Sequence, residues 1–167
     1  SEFCGKEPWR YKPEAARAMK LALQFRHRML PYLYTMNHRC WQDKIPLILP
    51  LYYGGPAQGE RYEYPNEYYF GSELLAAPVA TPRIPGLNVA RTDVYLPEGL
   101  WYDIFARRAY RGGRAIAAYR DLDHIPVFAR AGAILPLTDE ISPAAAVSNP
   151  TQLHLCVYLG AEGCFTL

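Results

Sequence analysis

The chain has 167 residues, half of them hydrophobic, enough to bury a sizeable core in one domain or in a domain plus the remnant of another. A formal net charge of +2, with Lys and Arg scattered rather than run together, excludes a nucleic-acid footprint. No apolar run has the length of a membrane span and no basic-then-apolar leader opens the chain, so no membrane partner is implied and a soluble globular protein is expected.

Ser1 to Lys12 reads as a loop, punctuated by Gly5 and Pro8, with Trp9 and Tyr11 offering large apolar surfaces. Lys6-Glu7-Pro8-Trp9 sets a base, an acid and a ring side by side. The plainer reading has Trp9 plugging a gap while Lys6 and Glu7 pair or face water. Pro13 to Met36 is the longest periodic segment. Ala15, Ala18, Ala22, Phe25, Met29, Leu33 and Met36 recur in steps of three and four, on one face of an α-helix. Pro13 suits the first turn, whereas Pro31 removes an interior bond and crowds the carbonyl four residues back, which predicts a kink or break near His27 to Met29. Arg26, His27 and Arg28 invite a catalytic or phosphate-binding reading, but their positions around the helix favour loop-fixing arginines and a half-buried histidine. Asn37-His38 and Cys40 suggest a Cys/His pair only if a base comes within hydrogen-bond reach, which closeness in sequence does not show.

From Ile45 the prolines at 46, 50, 56 and 65 and the Gly54-Gly55 pair forbid continuous helix and leave short extended pieces such as Leu47 to Tyr53. Tyr52, Tyr53, Tyr62, Tyr64, Tyr68 and Tyr69 form a cluster that either stacks on sugar rings or packs in strands with the hydroxyls reaching solvent. Strands are then expected at Glu73 to Val79, around Val94 and Leu96 before the Pro97-Glu98-Gly99 turn, and at Ala115 to Tyr119 after Arg111-Gly112-Gly113. A pair follows within Ile125 to Leu137 around Ala131-Gly132, and the last lies within Leu153 to Leu159, which alternates with a two-residue period. Ser142 to Pro150 reads as a small-residue surface loop. Short strands between Gly/Pro turns predict an antiparallel sandwich, with Trp101 and Phe128 inside it. Cys4, Cys40, Cys156 and Cys164 form no C-x-x-C pair and sit beside aliphatic or aromatic neighbours. They are expected as free, buried thiols of a reducing, cytoplasmic compartment, rather than as a metal site or disulfide frame.

Five blocks occur in one order: GKEPWRY at Gly5 to Tyr11, FRHRMLPYLYT at Phe25 to Thr35, YYFGSELLAAPV at Tyr68 to Val79, VYLPEGLWYD at Val94 to Asp103 and LDHIPVFARAGAILPL at Leu122 to Leu137. Together, over nearly the whole chain, they resemble glycoside hydrolase family 31, the retaining α-glucosidases and α-xylosidases. The resemblance implies a mainly β fold: an antiparallel β-sandwich preceded by one long N-terminal α-helix that belongs to a (β/α)8 barrel. It divides the chain into residues 1–44, the end of the catalytic barrel, and residues 45–167, a proximal C-terminal β-sandwich domain truncated at its end.

For the whole enzyme the resemblance implies retaining hydrolysis of an α-glycosidic bond. Two carboxylates about 5 Å apart act as nucleophile and acid/base, with no metal or organic cofactor. Neither the W-x-D-M-N-E nucleophile motif nor the acid/base aspartate motif occurs here, and Ser1 is expected to follow directly on the family's active-site histidine. The Y-E-D-D-G block expected beyond Gly163 to Leu167 is also missing, so a fragment cut at both ends is expected. Leu49-Pro50 stands where many members carry Arg before the proline. Asp121, Asp123, Asp139 and Glu140 could mimic a carboxylate pair, but their turn setting predicts solvated or turn-bonding side chains. No catalytic, substrate-binding or metal residue is therefore assigned, and carbohydrate is the partner implied through the missing barrel. The alternative is an autonomous carbohydrate-binding module using Trp101 or the tyrosine cluster as a stacking platform. On the fragment reading the helix stripe at Ala22, Phe25, Met29 and Leu33 would be exposed and would drive self-association.

Overall fold

In the computed structural model, which describes residues 5–54, 59–139 and 149–167, Pro31 divides the helical region. Helix α1 runs Pro13–Arg28 and helix α2 runs Leu30–Asp43, with Met29 between them at φ −81° and ψ 1°. Pro31 has no N–H for the carbonyl four residues back, so α1 stops and α2 restarts with the proline in its own first turn. The long helical segment is thus broken where Pro31 predicts, and its second part continues past Met36. Lys44, in the left-handed region at φ 60°, ends it.

The described strands are β1 (Ile48–Pro50), β2 (Tyr68–Phe70), β3 (Leu74–Ala76), β4 (Ala90–Leu96), β5 (Leu100–Asp103), β6 (Arg108–Arg111), β7 (Arg114–Arg120), β8 (Val127–Arg130), β9 (Ile134–Leu137) and β10 (His154–Val157). Six of them form one antiparallel sheet in the order β1-β2-β3-β8-β5-β6; β4 pairs with β7 and β9 with β10. The register sets Leu75 opposite Phe128 and Leu74 opposite Ala129. Because successive strand residues point to opposite faces, Leu74, Ala76, Val127 and Ala129 face α2, while Leu75 and Phe128 face the β4–β7 ribbon. Sheet and ribbon are the two layers of the sandwich, and α2 covers the sheet's other side.

Between sheet and ribbon, Phe128 and Trp101 lie buried with Leu75, Val94 and Leu96. The Trp101 indole N–H donates to the Pro97 carbonyl at 2.8 Å, so the ring is buried without an orphaned donor. On the helix side Tyr32 is fully buried. Its hydroxyl donates to the Phe70 carbonyl at 2.7 Å and accepts the Glu73 N–H at 3.1 Å, and burial holds the phenol far above its usual pKa. Gly71, at φ +67°, makes this approach possible, since a Cβ there would lie 2.2 Å from the Tyr32 hydroxyl oxygen.

The chain's own sheet covers most of the stripe expected to be exposed: Met29 is buried, and Phe25 and Leu33 pack partly buried against the same core, leaving Ala22 outside. Two further expectations change. Cys40, Cys156 and Cys164 are free, but Cys40 and Cys164 are exposed and Cys156 is only half-buried, because their apolar sequence neighbours do not share one face. In β10, Cys156 faces the core while Leu155 and Val157 point outward, each 54% exposed. Cys4, Gly55, Pro56, Glu140 and most of the Ser142 to Pro150 loop lie outside the described residues.

Candidate functional site

The acids singled out as a possible carboxylate pair are engaged separately. Asp121 accepts the Asp123 N–H at 3.1 Å, the turn-bonding role, and lies 3.9 Å from His124. The Asp123 carboxylate meets Arg17 of α1 at 2.8 Å, and Asp139 meets Arg28 at 3.2 Å, next to the Thr138 N–H that donates to the Arg28 carbonyl. Two of these acids therefore fasten α1 to the sandwich, a role that residues more than a hundred positions apart do not reveal in sequence. Asp103 is likewise structural: it accepts the Phe105 and Ala106 N–H groups and pairs with Arg120, whose guanidinium pKa burial depresses.

In the N-terminal loop Glu7 pairs with Arg10 at 3.2 Å while Lys6 is exposed. Trp9 plugs no gap: it is 79% exposed on the short turn Pro8–Arg10, which has no core to bury it in. His27 is half-buried as expected, with no hydrogen-bond partner for its Nδ1 among the described residues. Arg26 is exposed, and His38 takes Trp41 as its ring neighbour at 5.8 Å rather than forming a base with Cys40.

The tyrosine cluster splits in two. Tyr64 and Tyr69 pack against the sandwich core and Tyr68 against the helix-side core, where burial raises the Tyr68 and Tyr69 phenol pKa values. Tyr52, Tyr53 and Tyr62 instead stand exposed at the end of the sheet. Tyr52 stacks on Tyr62 at 4.8 Å and 11°, and Tyr53 lies against Tyr52 at 5.2 Å.

Two concavities adjoin these rings. One, of about 540 Å³, is bounded by Glu67, Arg91 and Asp93. Glu67 is buried there: one oxygen accepts the Tyr95 N–H at 2.9 Å, the other has no hydrogen-bond partner among the described residues, and burial lifts the carboxyl pKa to about 8. The second is a groove of about 620 Å³ between the C-terminal part of α2 and the strand ends, with Arg39, Tyr53, Ser72, Glu73, Glu98 and Arg130 on its walls. Sequence reasoning passed over these charged residues because none forms a motif with its sequence neighbours, and a lone acid or arginine reads as surface. Glu67 shares the tyrosine-rich run with Glu60 and Glu63, so its position alone did not single it out. Among the described residues no cluster of His, Cys, Asp and Glu could hold a metal ion, and no helix is long and apolar enough to cross a membrane.

Comparison with known proteins extends the same pattern. Residues 44–135 match the model of the glycosyl hydrolase family 31 C-terminal domain, and residues 1–36 match that of the family 31 TIM-barrel domain. An alpha-xylosidase of Saccharolobus solfataricus is 30% identical over 97% of this chain and 22% of its own length. Neutral alpha-glucosidase C of Mus musculus is 30% identical over 95% of the chain and 17% of its own. Among solved structures, a cycloalternan-forming enzyme from Listeria monocytogenes, in complex with a pentasaccharide substrate, superimposes with a TM-score of 0.82 at 27% identity. That match covers 95% of this chain and 16% of the enzyme. The chain thus spans about a fifth of the length of the curated relatives it matches.

Proposed function

The chain belongs to glycoside hydrolase family 31, and on that premise we propose that it is the C-terminal structural part of a retaining α-glycosidase of the α-glucosidase type, acting on terminal α-linked glucose or related sugars. In this reading residues 1–44 complete the catalytic barrel, residues 45–167 are the proximal sandwich, and the chain alone is inactive. The observation that carries it is the employment of these aspartates: Asp103, Asp123 and Asp139 are each tied to an arginine, so none of the three is a free carboxylate for attack or proton transfer. The fastening of α1 and α2 onto the sheet gives such a chain its role, since it would hold the barrel's last helices on the sandwich.

The test is hydrolysis of p-nitrophenyl α-glucoside and α-xyloside by the chain and by the longer enzyme encoded with the upstream region. Turnover by the longer enzyme alone supports the reading; turnover by the chain that co-purifies with it overturns it. The alternative, a carbohydrate-binding module without hydrolase activity, is favoured by the exposed Tyr52, Tyr53 and Tyr62 rings but not by Trp101, which is buried. Cytoplasmic residence belongs to the same reading and is supported by the free cysteines. Self-association, also part of it, falls to the outward helix surface with exposed Tyr34 and Trp41, because the sheet covers Phe25, Met29 and Leu33. Sedimentation equilibrium at tens of micromolar checks this: a dimer dispersed by Trp41→Glu supports it, and a monomer refutes it.

A further inference from the structure

We propose that the groove between α2 and the strand ends is a binding site for a short neutral α-glucan. The proposal rests on the glycosidase reading for its class of sugar and on this chain's own residues for its place. The groove's volume, about 620 Å³, is that of a small-ligand site and suits two or three sugar units. One wall is the Tyr53 ring, 66% exposed, and that ring is not loose. It rests on Tyr52, which itself stacks on Tyr62, so a sugar ring laid on Tyr53 meets an aromatic face already ordered by its neighbours.

The charged groups select the ligand. Arg39 and Arg130 line the groove together with Glu73 and Glu98, two positive groups with two negative, so the site has no net charge with which to hold a phosphate or a polyanion. It offers donors and acceptors together, the pattern that hydroxyl groups satisfy because each both donates and accepts. Several of these groups are fixed in place and still unspent. Arg39 is oriented by Ser72 Oγ at 2.9 Å and by the Phe165 ring at 5.3 Å. Glu73 is only 3% exposed and uses one oxygen to accept the Ile134 N–H, while its other oxygen lies 3.7 Å from Arg130, beyond hydrogen-bond range. Glu98 has no hydrogen bond or ion pair among the described residues. Ile45, Pro46, Leu47 and Leu49 add apolar lining that is open to the C–H faces of a sugar.

The experiment is calorimetric titration of the full 167-residue chain with maltotriose and with isomaltotriose, alongside Tyr53→Ala, Glu98→Ala and Tyr34→Ala. Saturable binding is expected, weakened about tenfold or more by Tyr53→Ala and several-fold by Glu98→Ala, and unchanged by Tyr34→Ala, an exposed ring that does not line the groove. Tyr53 and Glu98 are exposed, so unchanged thermal melting shows that both variants fold. A Tyr53→Ala variant that binds like the parent chain overturns the proposal. So does the absence of heat with both sugars at about 10 mM, or glucose 6-phosphate outcompeting the neutral sugars. None of these results bears on hydrolysis by the longer enzyme, so loss of the groove site leaves the glycosidase reading standing.

Discussion

On one face of the six-stranded sheet, α2 is attached by a buried tyrosine hydroxyl that bridges Phe70 and Glu73; on the other, the β4–β7 ribbon closes over Phe128, Leu75 and Trp101 and is tied to the sheet at one end by the Arg120–Asp103 pair. The helix side adds the Arg17–Asp123 and Arg28–Asp139 pairs at its rim, whereas the ribbon side also contains a buried carboxyl, Glu67, that lies in no ion pair among the described residues. The contrast separates two tasks. Apolar area supplies stability without orientation, and buried hydrogen bonds supply orientation with a smaller net gain. The helices are oriented by several polar contacts at the core and the rim, while the sandwich interior, anchored at one end by Arg120 and Asp103, is filled mainly by apolar side chains.

The comparison breaks most sharply at Phe128. Phe128→Ala should lower stability by about 3–5 kcal/mol in urea unfolding, through lost burial and the cavity left between the layers. A loss below about 1 kcal/mol would mean that the ribbon collapses into the space and that the sandwich interior does not carry the fold. Tyr32→Phe tests the other face with little change of volume. It leaves the Phe70 carbonyl and the Glu73 N–H without their partner and should cost about 1–3 kcal/mol, with far-ultraviolet dichroism unchanged.

Glu67 sharpens the contrast through pH. Its carboxyl holds a proton up to about pH 8 in the folded chain and only to about 4.5, the ordinary value, when unfolded. Between those values the folded state binds more protons, so this group's contribution is present below pH 4.5 and is lost as pH rises through 8, by up to about 1.4 kcal/mol per pH unit. Unfolding curves at several pH values in that window should show the chain losing stability relative to Glu67→Gln. Parallel pH profiles for the two proteins would remove Glu67 as the cause. The smallest effect is expected at the rim: Arg17→Ala should change stability by less than about 1 kcal/mol, because the arginine is largely in water. A larger loss, confined to α1 in hydrogen exchange, would move the helix fastening from Tyr32 to the ion pairs.

Legibility followed the range of the forces. Trp101 and Phe128 were readable as interior because large rings in short apolar runs between turns have few other places to go, and the break at Met29 followed from Pro31 within the same segment. The destination of the helix stripe was not readable: periodicity states that Met29 and Leu33 share a face, not whether a barrel, a second copy or the chain's own sheet covers it. The six tyrosines divide between core and surface according to the strand face and turn each occupies, which spacing alone does not give around the prolines at 56 and 65. Glu67 escaped notice, and the arginine partners of Asp123 and Asp139 were not readable, because Tyr95, Arg17 and Arg28 are brought near only by the tertiary fold.

The outward row of β10 has a practical consequence for solubility. The six-stranded sheet ends on β6, where Arg108 and Arg111 put charge along the border, and on β1, where Pro50 withholds a donor; both features discourage another strand from adding on. Among the described strands β10 pairs with β9 alone, and it carries Leu155 and Val157 outward with no charged residue between His154 and Val157. It is the least guarded border of the molecule, so strand-to-strand aggregation of the isolated chain should nucleate there, and a single lysine in place of Val157 is the economical way to keep concentrated samples clear.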